Sequence, residues 1–249
     1  MMSLLETRNL TKSFGKLFAV HDVSLKISSG LIMSIIGPNG AGKTTLFNLI
    51  SGRLLPTGGD VILNDEEISG LSPHEIVRKG ISRSFQITNI FPELTVLDNI
   101  RIGLTARFNK SFDILRSLGS SKRILDEALN IIESVGLIEH RDHRSSVLSH
   151  GDRKVLEFGL ALTTDPTLML LDEPTAGMNQ EETNNTVNLI KKISKEKDIT
   201  VMLTEHDIDL VFSISDRIAV LNQGVLIAEG RPEEIRKDPV VRKAYLGED

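Results

Sequence analysis

Residues 31–45 read LIMSIIGPNGAGKTT, a mainly apolar run with a single serine, Ser34, followed by a loop with three glycines and then Lys43-Thr44-Thr45. A short continuous apolar run bounded by turn residues predicts a strand buried on both faces, as in a parallel sheet covered by helices. The loop fits G-x-x-x-x-G-K-[ST], and a helix over Lys43–Ser51 supplies the strand–loop–helix setting that motif requires. Glycines let the backbone wrap closely round phosphates with successive N–H groups pointing inward, and the helix adds its positive end. Lys43 supplies a mobile cation for β- and γ-phosphates, and the Thr44 hydroxyl suits Mg²⁺. Gly37, Pro38, Asn39, Gly40, Ala41, Gly42, Lys43, Thr44 and Thr45 are therefore the expected nucleotide contacts. A glycine-rich turn matching by chance would lack the strand and helix on either side.

Two more apolar runs end in polar residues. LMLL (Leu168–Leu171) leads into Asp172-Glu173, and ITVML (Ile199–Leu203) ends at Thr204-Glu205-His206. Polar groups at the ends of buried strands are the α/β pattern, in which ligands sit beyond the carboxyl edge of the sheet. Alone, an acidic pair after an apolar run is most often a solvated loop. Beside a phosphate loop, Asp172 becomes the expected Mg²⁺ ligand, direct or through water. Glu173, one residue further, is then the expected general base on an attacking water.

Helices are expected between these runs. Glu181–Lys195 starts acidic and ends basic, as the helix dipole prefers, and Asp207–Ile214 carries an apolar face. From about Glu93 to Arg144 there is no strand pattern. Lys122–Val135 instead places Ile124, Leu125, Ala128, Leu129, Ile132 and Val135 at helical spacing before Gly136. Alternating residues Val23, Leu25, Ile27 and Val61, Leu63 predict a smaller antiparallel sheet. Arg217–Leu221 and Val225–Glu229, joined by Asn222-Gln223-Gly224, predict a hairpin.

The bulk composition agrees with a globular chain. The 249 residues are 40% apolar and 25% charged, with a net charge of −5 and no cysteine. That balance gives no electrostatic reason for nucleic-acid binding and excludes disulfides and thiolate metal sites. The longest apolar runs fall far short of the roughly 20 residues that span a bilayer. Any membrane role is expected to come through a partner.

GPNGAGKTT, Ser84-Phe85-Gln86, LSHGD (Leu148–Asp152), LLDEP (Leu170–Pro174) and Thr204-Glu205-His206, in that order, resemble an ABC ATPase nucleotide-binding domain over essentially the whole chain. The resemblance implies an α/β P-loop NTPase of ABC type: a mainly parallel core sheet with helices, a small antiparallel β subdomain and an inserted helical subdomain. It implies one domain over 1–249, with the insert at about 93–150. It also implies roles. Phe14 would stack on adenine, where ordinary core packing is its bland alternative. Gln86 would sense Mg²⁺ and the attacking water, and Ser149 and Gly151 would close over the γ-phosphate held by another subunit. His206 would hold the γ-phosphate and the catalytic geometry beside Glu173 and Lys43. Two departures stand out: the commonest signature is LSGGQ, where this chain has His150 and Asp152, and the commonest residue at Asn179 is Asp.

LSHGD, DEPTAGMN and the C-terminal stretch further resemble the ATPases of branched-chain amino-acid importers. That resemblance implies ATP and Mg²⁺ as cofactors, a second identical or paralogous ATPase subunit, transmembrane permeases and a substrate-binding protein. It implies a peripheral place on the cytoplasmic face of the membrane and no nucleic-acid partner. Gln86–Pro92, with Ile90 and Phe91, would form the lip of a groove for a short permease helix. Urea or amide importers and the lipopolysaccharide-export ATPase look similar. ABC ATPases acting on DNA or ribosomes are the alternative from another class, and they usually carry coiled coils, zinc motifs or tandem cassettes.

Overall fold

The computed structural model describes residues 3–84, 90–108 and 117–246. The chain divides into two compact units, the first comprising residues 1–83, 167–174 and 191–249, the second 84–166 and 175–190.

The first unit contains two sheets. A four-stranded antiparallel sheet, in the order β2-β1-β4-β5, joins β1 (Ser3–Phe14), β2 (Leu17–Ser28), β4 (Gly58–Leu63) and β5 (Glu66–Glu67). Val23, Leu25, Ile27, Val61 and Leu63 are all buried, so the period-2 alternation gives this sheet its inner face. The second sheet runs β10-β9-β3-β8-β7-β6. Its members are β3 (Ile32–Ile36), β6 (Ile81–Arg83), β7 (Leu168–Asp172), β8 (Thr200–Thr204), β9 (Arg217–Asn222) and β10 (Val225–Gly230). Pairings from β6 through β9 are parallel, and β10 returns antiparallel on the edge.

Every residue of β3, β7 and β8 is buried. That is why these strands read as predominantly apolar runs, with Ser34 the polar residue inside β3, and each fully buried Leu, Ile or Met contributes about 1.5–3 kcal/mol. The expected hairpin is present, with Gln223 and Gly224 both at positive φ (47° and 81°), as a tight two-residue turn requires. Several short elements lie outside the periodic patterns of the sequence, β6 and α2 among them. Strand β6 has only three residues, and α2 (Pro73–Arg78) is opened by a capping box from Ser72 and Glu75 with proline in its first turn.

The second unit is helical. It holds α3 (Val96–Phe108), α4 (Ser117–Ser134), α5 (His150–Leu162) and the start of α6 (Gln180–Lys197). Its core is built from Ile100, Leu104, Ile124, Ala128, Ile131, Ile132, Val135 and Leu156. The buried stripe of α4 is thus Ile124, Ala128, Ile131 and Ile132, continued by Val135 just past its end, whereas Leu125 lies one position off it and is exposed. A Cβ on Gly159 of α5 would stand 3.3 Å from Ile100 Cδ1, so the missing side chain there lets α5 approach α3. Among the described residues no helix is long and apolar enough to cross a membrane.

Candidate active site

The loop between β3 and α1 (Lys43–Ile50) stands at the carboxyl end of a wholly buried strand. Two of its glycines are required by the backbone. Gly37 has φ 149° with its Cα facing the Leu221 carbonyl, and Gly42, the N-cap of α1, has φ 103° against the Ala19 carbonyl. A side chain at either position would meet main chain and strain φ at once. Lys43 is buried, and its Nζ donates to the carbonyls of Gly37 at 2.6 Å and Pro38 at 3.1 Å. Burial pushes its pKa down, and the carboxylates of Glu173 and Asp172 oppose that shift. The amine therefore sits folded onto its own loop, in the field of the two acids.

Strands β7 and β8 are paired in register, with Asp172 opposite Thr204. The Thr204 hydroxyl donates to Asp172 Oδ1 at 2.7 Å and accepts from the Glu173 N–H at 3.2 Å. The same N–H also donates to the Thr204 carbonyl at 3.1 Å. One threonine thus fixes both acids. Glu173 occupies the left-handed region at φ 51°, which costs a non-glycine residue about 1–3 kcal/mol. The turn aims its carboxylate at His206, whose Nε2 lies 2.9 Å from Glu173 Oε1. A carboxylate here only accepts, so the pair requires the proton on Nε2. The neighbouring Asp207 caps α7 (Ile208–Ile214), accepting from the Leu210 N–H, so the capping role falls to Asp207 and leaves the His206 ring free to face Glu173.

Arg83 at the end of β6 has no place in the motif reading. Its Nη2 donates to Asp172 Oδ2 at 3.0 Å, with both side chains buried. Its Nη1 donates to Asn48 Oδ1 at 2.6 Å and Ser51 Oγ at 3.2 Å. Burial pushes the guanidinium below its ordinary value, and Asp172 pulls it back. Asp172 is consequently held at both oxygens, each of which keeps a further lone pair for another donor or cation.

In the second unit, Ser149 caps α5. Its Oγ accepts from the Asp152 N–H at 3.0 Å and donates to Asp152 Oδ2 at 2.9 Å. His150 Nε2 lies 3.2 Å from the Ala176 carbonyl. A Cβ on Gly151 would stand 3.0 Å from Glu182 Oε1. Asn179 and Glu182 exchange two 3.0 Å bonds, side chain to N–H in each direction, which caps α6. The substituted signature residues are accordingly locked into local hydrogen bonding.

Phe14, at the end of β1, is 51% exposed with Lys12 Nζ 5.3 Å from its ring centroid, so it is not core. Gln86 lies outside the described residues. Lys43, Asp172, Glu173 and His206 share the first unit; Ser149 and Gly151 belong to the second.

A buried strand, a glycine loop with a buried lysine, and an Asp-Glu pair of which Glu173 faces His206 agree with an ATP-binding cassette. The chain belongs to the ABC transporter family, whose description matches residues 20–176. Residues 225–249 also match the family described as branched-chain amino acid ATP-binding cassette transporter. Two relatives are each 42% identical over 250 residues, covering 98% of both chains. They are the high-affinity branched-chain amino acid transport ATP-binding proteins BraF of Pseudomonas aeruginosa and LivG of Escherichia coli strain K12. Among solved structures, the ADP conformation of MJ1267, an ATP-binding cassette of an ABC transporter, superposes with a TM-score of 0.87 at 34% identity over 100% of both chains. The dimeric structure of the bacterial ABC transporter cassette MJ0796 gives 0.77 at 27% identity, covering 92% of this chain and 98% of that one.

Proposed function

We propose that this chain is the ATP-hydrolysing subunit of an importer for branched-chain amino acids. The 2.9 Å contact between Glu173 and His206 at the mouth of the Lys43 loop carries the hydrolytic reading. Glu173 Oε1 or Oε2 accepts the proton of a water that attacks the γ-phosphate, and His206 Nε2–H holds the carboxylate in the direction its left-handed turn gives it. Lys43 leaves the Gly37 and Pro38 carbonyls to neutralise the β- and γ-phosphates. Thr44 and Asp172 are oxygen donors of the kind Mg²⁺ takes alongside substrate phosphates, and Mg²⁺ there would neutralise charge on them. Phe14, exposed at a strand end, is free to stack on adenine, and Gln86 is assigned to the same site as sensor of cation and water.

The identity to BraF and LivG along the whole chain supports the substrate class. The dimeric cassette MJ0796 supports a pair, and in our reading it is head to tail, with Gly37–Thr45 of one copy facing Ser149–Gly151 of another or of a paralogue. Residues 1–249 then act as one cassette with a helical insert at about 93–150. Permease subunits would hold it on the cytoplasmic face of the membrane and a substrate-binding protein would feed them. Phe91, half exposed and tied by its backbone to Asn99, suits the permease contact.

Lys43→Ala and Glu173→Gln test the hydrolytic reading. Lys43→Ala should lose nucleotide retention or turnover. Glu173→Gln should bind ATP, form a dimer in size-exclusion chromatography and lose roughly 10²–10⁴-fold in rate. Normal turnover by either variant would sink the assignment. For the substrate class, ATPase in proteoliposomes with the permeases and binding protein should rise with leucine, isoleucine or valine and not with urea.

A further inference from the structure

Arg83 has a buried charged side chain that the hydrolytic reading leaves unused. Its guanidinium spans two elements: Asp172 at the end of β7, and Asn48 and Ser51 at the end of α1, the helix that begins at the phosphate loop. Its Cζ also lies 5.7 Å from the Phe47 ring centroid, so an aromatic face lines one side of the cation. Nε, buried, has no hydrogen-bond partner among the described residues.

A buried ion pair is poor evidence of a stability role, because desolvation offsets most of its Coulomb gain and an apolar pair of the same volume often does as well. Leaving Nε unmatched adds to that cost. What the arrangement supplies is direction. A planar fork anchored to a helix by one nitrogen and to a carboxylate by the other admits one orientation of that carboxylate, and a lysine's point charge cannot bridge both. With the Thr204 hydroxyl on Oδ1, Asp172 is clamped from two sides, each oxygen keeping a lone pair.

We infer that Arg83 is a positioning residue which aims Asp172 at the cation of bound nucleotide and ties that aim to the phosphate-loop helix. The inference rests on the reading of Asp172 as the Mg²⁺-facing carboxylate.

The test is equilibrium binding of a fluorescent ATP analogue, in EDTA and across a Mg²⁺ titration, for wild type, Arg83→Lys, Arg83→Met and Asp172→Asn. Melting temperature is recorded for each. Partners that orient a metal ligand typically contribute 10–100-fold in metal affinity. Arg83→Met should raise the Mg²⁺ midpoint by roughly that factor, and Arg83→Lys by less, since it keeps the charge and loses the fork. Binding in EDTA is the internal reference, because a general loss of structure would weaken both conditions alike. If Arg83→Met does not fold, Arg83→Lys decides. Unchanged midpoints in the Arg83 variants beside a shifted one in Asp172→Asn would overturn the inference alone. An unchanged midpoint in Asp172→Asn would overturn the metal reading of Asp172 and this inference with it.

Discussion

In the unit built on β3, β7 and β8, the candidate catalytic side chains hang from the ends of strands with no exposed residue, whereas in the helical unit Ser149, His150 and Asp152 stand at the open N-terminus of α5. The difference is one of support. Asp172 is fixed through Thr204 and Arg83, which lie 32 and 89 residues away in sequence. Ser149 is fixed by Asp152, three residues on. Chemistry at a buried strand end depends on the whole sheet being in place, while chemistry at a helix end depends mainly on its own first turn. The first arrangement is rigid and costly to disturb; the second tolerates substitution, as the His150 and Asp152 departures illustrate.

The contrast is broken or sharpened by substitutions of decreasing expected effect. Leu170→Ala removes a fully buried side chain between β6 and β8 and should destabilise by about 2–5 kcal/mol. Urea denaturation measures the loss, and ATPase activity should disappear at a lower temperature than in wild type. Thr204→Val keeps the shape and deletes the hydroxyl shared by Asp172 and the Glu173 N–H. Leaving those groups short of partners should cost about 1–3 kcal/mol and slow hydrolysis. A Thr204→Val protein with unchanged stability and rate would show that the strand-end clamp is decorative.

Ser149→Ala should cost about 0.5–2 kcal/mol, the usual effect of losing an N-cap, and Ser149→Asn should restore most of it. Thermal denaturation of both variants checks this. A loss matching that of Leu170→Ala would break the comparison, because the signature turn would then be coupled to much more than itself.

How much was legible follows the same division. The runs of β3, β7 and β8 announce themselves because burial on both faces keeps them predominantly apolar, Ser34 being the one polar residue inside β3. Lys43, Asp172, Glu173 and His206 are legible as neighbours of those runs. Arg83 was invisible for the opposite reason: β6 has three residues, its partner β7 is more than eighty residues away, and one arginine in Ile81-Ser82-Arg83 carries no periodicity. Thr204 was quoted as part of a motif, but its role as common support for two acids needs the β7–β8 register, which no local pattern encodes. Ser72-Pro73-His74-Glu75 is a legible helix start, since its capping box and N-terminal proline are both local signals. On α4, helical spacing found the right face but not its edge, because Leu125 and Ile131 are equally apolar and only the packing of α3 and α5 separates them.

The smallest expected effect concerns Asn179. Asparagine and aspartate are nearly equal N-caps, so Asn179→Asp keeps the acceptor that takes the Glu182 N–H. Added negative charge at a helix N-terminus favours stability by about 0.3–1 kcal/mol at an exposed site. Here it also faces the Glu182 carboxylate, which already accepts from the residue 179 N–H, and like charges in one capping box repel. The two contributions oppose each other with similar size, so the melting temperature should move by no more than a degree or two. Raising the salt concentration screens both and should leave the variant and wild type still closer together. A drop of several degrees at low salt, recovered at high salt, would mean that repulsion dominates, and that asparagine at this position relieves a charge conflict that an aspartate would introduce.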